Sequence, residues 1–418
     1  MNPAMKSEAS FPRVGGWALA ISIGFGPIYW FPGVPEVTVV AVKAVALTLF
    51  AVSFLASNSF KFPARYMGAL ALLVCAAAMS SIYHEDLFVL DAMTLAAIVI
   101  FAGAVSLSDS RMAMWKYVER GVLIFATFAA LVIVDGVRGG GVPNPFYEYY
   151  YPLSLSGFAG GRTGWGVSCG FMMAFALIAA INRTTRAGIV WMAVAAVLAV
   201  NSFMVGTRGG TLTAALLLFS FVAISFKNGK RPLAIASVFI LFFSALAFAA
   251  VNIEWIESTR VWQAFTGGTV RQENIRLNGY QMAFSGLIER PLAGFGEFDL
   301  EAALGYSEIH NLWLRLLVER GILAGGVTCA VVFWLVARLF KSPVRGASLV
   351  IIAGLLPTMF EPTTIFGNFF STFGFWFVCI HLDCLLADRV VKPLRATAPI
   401  RRTAYVPRYP PNHADRAN

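Results

Sequence analysis

Charge is what this 418-residue chain lacks. Only 13% of its residues are Asp, Glu, Lys or Arg, while 58% are hydrophobic and the mean hydropathy is +0.72. Soluble domains run near a quarter charged, so a soluble enzyme is excluded, and so is a disordered chain, which needs low hydrophobicity and high charge. Cysteine is scarce too. Cys75, Cys169, Cys329, Cys379 and Cys384 all sit in apolar stretches, and no CxxC spacing exists. That argues against a disulfide framework or a thiolate metal site and for small buried hydrophobes. There is no internal repeat of the kind that builds transporters from two inverted halves, and ionisable residues deep in the apolar runs are limited to Lys43 and Asp91. A transporter, which needs polar groups along its path, is disfavoured for that reason.

What is present is a series of apolar runs. A helix needs roughly 20 apolar residues to cross the hydrocarbon core, and twelve segments fit: 14–31, 37–56, 64–82, 88–107, 117–136, 163–181, 187–206, 209–226, 232–252, 321–340, 347–360 and 366–386. The eleventh is short because Pro357 interrupts it. The run after Arg13 is too long for a cleavable leader, and further spans follow. The expected fold is an all-α polytopic membrane protein of about twelve transmembrane helices.

The formal net charge of +10 would suggest nucleic acid in a soluble chain; here it sets orientation. With the N-terminus inside, the inner loops and tail carry 22 basic residues and the outer segments nine. Both termini are therefore expected in the cytoplasm. All nine outer basic residues are arginine: Arg138, Arg162, Arg208, Arg260, Arg271, Arg276, Arg290, Arg315 and Arg320. An arginine fork takes phosphate in bidentate fashion and keeps its charge in any surroundings, although Arg outnumbers Lys 24 to 8 throughout the chain.

This reading divides the chain into an N-terminal bundle (1–136), an outer loop (137–162), spans six to nine (163–252), a large, mainly helical outer loop domain (253–320), spans ten to twelve (321–386) and a basic, disordered inner tail (387–418). The loop at 137–162 holds an aromatic cluster, Tyr147 and Tyr149 to Tyr151, in keeping with an interfacial aromatic belt. Long loops lie outside and short turns inside, so chemistry is expected on the outer face.

Four outer segments carry the residues suited to it. The first is Gly161-Arg162-Thr163-Gly164. The second is the short turn Thr207-Arg208-Gly209-Gly210, which pins an arginine at the membrane surface. The third reads as a helix with Arg276 and Tyr280 at i, i+4, preceded by Arg271 and followed by Glu289-Arg290-Pro291-Leu-Ala-Gly294-Phe-Gly296, whose proline and glycines end it. The fourth is Glu308-Ile-His310-Asn311-Leu-Trp-Leu-Arg315, leading to Glu319-Arg320-Gly321. It is expected to continue straight into span ten as one helix over 309–340, ~48 Å long at 1.5 Å per residue. Its first turn, with His310, would then stand out of the bilayer. A neutral imidazole at a helix start is suited to accept a proton.

In order and spacing these segments, over about 160–325, resemble the O-antigen ligase/polymerase superfamily of bacterial membrane glycosyltransferases (WaaL-type ligases, Wzy-type polymerases and exopolysaccharide polymerases). The resemblance implies a GT-C-like fold in the bacterial inner membrane with a periplasmic active site. The implied donor is an undecaprenyl-diphosphate-linked glycan, transferred with inversion to a sugar hydroxyl without nucleotide sugar, metal or other cofactor. The preferred acceptor is a growing O-antigen or exopolysaccharide repeat. Lipid A–core is the alternative, and a protein O-oligosaccharyltransferase stands further off. A chain-length regulator and a flippase are the expected protein partners; nucleic acid is not one.

On this resemblance His310, Arg208 and Arg276 are the catalytic candidates, the arginines holding the diphosphate. Arg162, Arg271, Arg290, Asn311, Glu319 and Tyr280 are weaker substrate-binding candidates. Glu297, Asp299 and Glu301 alternate after the Gly-Phe-Gly turn, a pattern that can also hold a divalent cation; solvated loop acids explain it more simply.

Overall fold

The computed structural model describes residues 13–25, 64–84, 111–138, 162–204, 208–251, 275–296, 309–342 and 344–359, with six helical residues between 41 and 53. Every regular element among them is helical. In chain order these are α1 (Arg13–Gly24), α2 (Ala64–His84), α3 (Arg111–Arg138), α4 (Arg162–Asn182), α5 (Thr185–Met204), α6 (Arg208–Lys227), α7 (Arg231–Val251), α8 (Ile275–Glu289), α9 (Leu312–Leu339) and α10 (Ser348–Leu355), followed by a 3₁₀ turn at Pro357–Met359.

Six helices, α3 to α7 and α9, are long and apolar enough to cross a membrane, and α2 and the stretch Ser348–Met359 are shorter apolar helices. Of the twelve expected spans, 88–107 and 366–386 lie outside the described residues, and 37–56 is described only at scattered helical positions. The break expected at Pro357 is present: α10 stops at Leu355 and the chain tightens into the 3₁₀ turn, because proline cannot supply the amide that would continue the helix.

The bundle is built around α4. That helix is almost entirely buried and packs on α5, α6 and α10, while α1 lies on α3, α7 on α5 and α6, and α2 on α9. In lipid, association rests on close packing and interhelical hydrogen bonds rather than on expulsion of water, and both are visible. Phe125 of α3 stacks on Trp165 of α4 with ring centroids 5.2 Å apart. Asn201 of α5 is fully buried and its amide donates to the Ala129 carbonyl of α3 at 2.9 Å and to Val197 O at 2.9 Å. An Asn201→Ala protein is expected to lose about 0.6–1.7 kcal/mol of stability, seen as a lower Tm in detergent; an unchanged Tm would show that this bond contributes nothing net.

One end of the bundle is basic. Arg183 in the turn after α4 pairs with Glu119 of α3, which strengthens its hold on its proton. Lys230 in the turn after α6 donates to the carbonyls of Ile181, at 2.7 Å, and Arg183, closing the exposed end of α4. Burial, and then the nearby Arg345, push the Lys230 pKa down.

α9 departs from the sequence expectation. It is not one straight rod over 309–340: Gly321 has φ 66° and ψ −179° and breaks it into two half-helices. The second half, after Gly321, is ~27 Å long at 1.5 Å per residue, close to the ~30 Å hydrocarbon thickness. The first half is a separate nine-residue segment that carries the His310-Asn311 entry. The break is stabilised by the turn that follows α8. In a continuous helix the amides of Ile322 and Leu323 would bond the carbonyls of Val318 and Glu319. Here they donate instead to Pro291 O (2.8 Å) and Leu292 O (3.3 Å), while Val318 O and Glu319 O accept from Phe295 N (3.0 Å) and Gly296 N (2.8 Å). Four backbone groups released by the kink thus find partners in one turn, as they must where unpaired groups cost several kcal/mol each.

Candidate active site

The first half of α9 faces two ways. Leu312 and Leu316 belong to the core of the membrane bundle. Leu314 and Val318 belong to a second, smaller core with Ala283 of α8, Phe295 of the turn and Ile309, flanked by Tyr280 and Leu287. His310 stands where these two cores meet, partly buried.

Its backbone is held from both sides. Tyr280 Oη donates to the His310 carbonyl at 3.3 Å. Asn311 takes an extended conformation (φ −151°, ψ 113°) and its side-chain oxygen accepts from Leu314 N at 3.0 Å. This is an N-cap, of a kind that contributes about 1 kcal/mol. It also corrects the expected position of His310. The helix starts after Asn311, so the histidine lies just ahead of the first turn rather than within it.

The weaker candidates in this region have structural partners. The Asn311 oxygen is engaged in capping. Glu319 is 3% exposed and forms an ion pair with Arg315 one turn earlier. The Arg290 guanidinium lies over the Phe295 ring, 4.7 Å from its centroid. Arg320, which sequence reasoning counted only among the outer arginines, is 7% exposed, beside the helix break.

Arg276 is the second residue of α8, one turn before Tyr280, and α8 packs on α9. Arg208 and Arg162 are the first residues of α6 and α4. Both helices start at one end of the bundle: Thr211 Oγ1 of α6 donates to Ser202 O at 3.4 Å, and Ser202 Oγ at the end of α5 donates to Gly166 O of α4 at 3.2 Å. The side chains of Arg162, Arg208 and Arg276 lie outside the description, as do Arg271, the acidic alternation at Glu297, Asp299 and Glu301, the tyrosines at 147 and 149–151, and Lys43 and Asp91.

Sequence reasoning missed His84, the last residue of α2. Its Nε2 lies 2.9 Å from the carbonyl of Ala293 in the turn that enters the α9 break. No spacing pattern marks it; its position just past the end of the third apolar run was the available signal.

No curated protein matches the chain. Residues 193–329 match the family described as O-antigen ligase. The match runs from within α5 into the second half of α9, taking in the Thr-Arg-Gly turn, α8 with its Arg-Pro-Leu-Ala-Gly-Phe-Gly sequel, His310 and the break at Gly321. It supports a role in polysaccharide assembly at a membrane and membership of the O-antigen ligase/polymerase superfamily.

Proposed function

We propose that the protein is an inner-membrane glycosyltransferase that moves a glycan from undecaprenyl diphosphate to a sugar hydroxyl on the periplasmic side, acting as a polymerase of O-antigen or exopolysaccharide repeats. The observation that carries the reading is the fixing of His310: its carbonyl is held by Tyr280, and it precedes a capped half-helix interlocked with the turn from α8. A proton acceptor must be held within reach of the hydroxyl it serves.

In the proposed reaction the acceptor oxygen attacks the anomeric carbon and His310 takes the hydroxyl proton. The bond from that carbon to the diphosphate oxygen breaks with its electron pair, and the anomeric centre inverts. The developing charge on the diphosphate is stabilised by Arg208 and Arg276, since fixed positive groups aimed at a leaving group lower the barrier. Arg162, Arg271 and Arg290 are supporting contacts to phosphate or glycan. The chemistry requires no metal.

The description of the matched family favours a second reading, ligation of the glycan to lipid A–core. The two separate in one experiment. Purified protein is supplied with lipid-linked repeats, with and without lipid A–core, and products are resolved by length on a gel. A ladder formed without lipid A–core is the expected result. Transfer seen only when lipid A–core is added would replace the polymerase with the ligase. No product in either case would overturn glycan transfer from this donor.

A further inference from the structure

The turn after α8 has four consecutive carbonyls, and each has a distinct partner. Arg290 O accepts from Gly294 N within the turn at 3.1 Å, and Pro291 O and Leu292 O accept from Ile322 N and Leu323 N of α9 at 2.8 and 3.3 Å. Ala293 O is met by His84 Nε2 at 2.9 Å, across 209 residues of sequence. A carbonyl oxygen can only accept, so Nε2 carries the proton. His84 is partly buried at the end of α2, its ring set edge-on to Tyr83 with centroids 4.9 Å apart, and α2 packs along α9. The next two amides of the same turn, Phe295 and Gly296, bond the carbonyls that end the first half of α9. A displacement of Ala293 is thereby passed by backbone hydrogen bonds to the segment that begins at His310.

We propose that His84 is a positioning residue for glycan transfer: it ties α2 to the Pro291–Gly296 turn and so fixes the half-helix that presents His310. This rests on the function proposed above. His84 touches no reacting atom; it acts through Ala293 and the turn. Glutamine carries an amide N–H at comparable reach and can replace it, whereas alanine cannot.

The test compares wild type, His84→Ala and His84→Gln by hydrogen exchange in detergent and by turnover of lipid-linked repeats. In His84→Ala, exchange is expected to rise in peptides covering 290–296 and 318–323. kcat is expected to fall by about 10- to 100-fold, the scale of a misplacement of about 1 Å, with KM for the donor little changed. His84→Gln is expected to restore both protection and kcat. Unchanged exchange in His84→Ala would overturn the tether. Raised exchange with normal kcat would overturn its role in the reaction, as would failure of glutamine to restore kcat while restoring protection. If wild type itself turned over no lipid-linked glycan, the function proposed above would fall; the exchange comparison would still decide whether His84 holds the turn.

Discussion

A Gly321→Ala protein is expected to be destabilised by about 3–5 kcal/mol, or to fail to accumulate in the membrane, and to make no glycan product. The reason is geometric. The residue's φ of 66° with ψ −179° lies in a region essentially confined to glycine, where a side chain costs of order 1–3 kcal/mol. A Cβ there would also stand 2.1 Å from the Leu292 carbonyl oxygen and 2.5 Å from Ala293 N. Those are backbone atoms of the interlocked turn and have no rotamer through which to move aside. Relieving the clash would pull Leu292 away from Leu323 N and leave backbone groups of the break unpaired in a low-dielectric setting. Gly294 is the reciprocal position: φ is 73°, and a Cβ would meet Val318 O and Glu319 O at 2.5 Å. Gly294→Ala should therefore resemble Gly321→Ala. Gly326, five residues further along α9, is the internal control. It is helical and a Cβ would meet only Ile322 Cγ2 at 3.6 Å, so Gly326→Ala should be neutral or raise stability by up to about 1 kcal/mol. Thermal unfolding of the three proteins in detergent, with the gel assay beside it, checks the set. If Gly321→Ala unfolds at the wild-type temperature, the break in α9 is not a feature of the folded protein.

That break marks the limit of what the sequence disclosed. Apolar run length placed α4 to α7 within one or two residues of their observed ends, because hydrocarbon thickness sets helix length and short polar turns interrupt it. The i, i+4 reading of Arg276 and Tyr280 holds, and the proline and glycines after Glu289 end α8 as expected. Sequence reasoning also placed the start of span ten at Gly321. It had no means of seeing a positive φ there, because a lone glycine inside a helical pattern is compatible with an unbroken helix. The two segments it singled out separately, Arg-Pro-Leu-Ala-Gly-Phe-Gly and Glu-Arg-Gly, interlock through main-chain atoms. Backbone hydrogen bonds leave little trace in residue identity beyond the requirement for glycine where chains approach closely. His84 was hidden for a related reason: its partner is the carbonyl of an alanine, which any residue could supply.

Arg208→Lys and His310→Ala are expected to reduce glycan transfer to background while leaving protein level and Tm unchanged. The two losses differ in kind. Removing His310 withdraws the group proposed to take the acceptor proton, an effect of about 10²- to 10⁴-fold on kcat, and leaves donor binding intact. Its carbonyl still accepts from Tyr280 Oη and Asn311 still caps α9, since neither uses the imidazole. Substituting Arg208 weakens stabilisation of the leaving diphosphate, where loss of one donor costs about 10²- to 10³-fold. Lysine keeps the charge but offers a compact ammonium in place of a planar fork, so it should not rescue. Arg208 opens α6 after a three-residue link from α5, at the end of the bundle where Thr211, Ser202 and Gly166 join α6, α5 and α4. The hydrogen bonds that fix this corner do not depend on the arginine side chain. A donor-binding measurement with wild type and both variants separates the roles: affinity for lipid-linked glycan should fall with Arg208→Lys and persist with His310→Ala. Near-normal product from Arg208→Lys would remove the diphosphate role of Arg208, and near-normal product from His310→Ala would remove the histidine from the proton transfer.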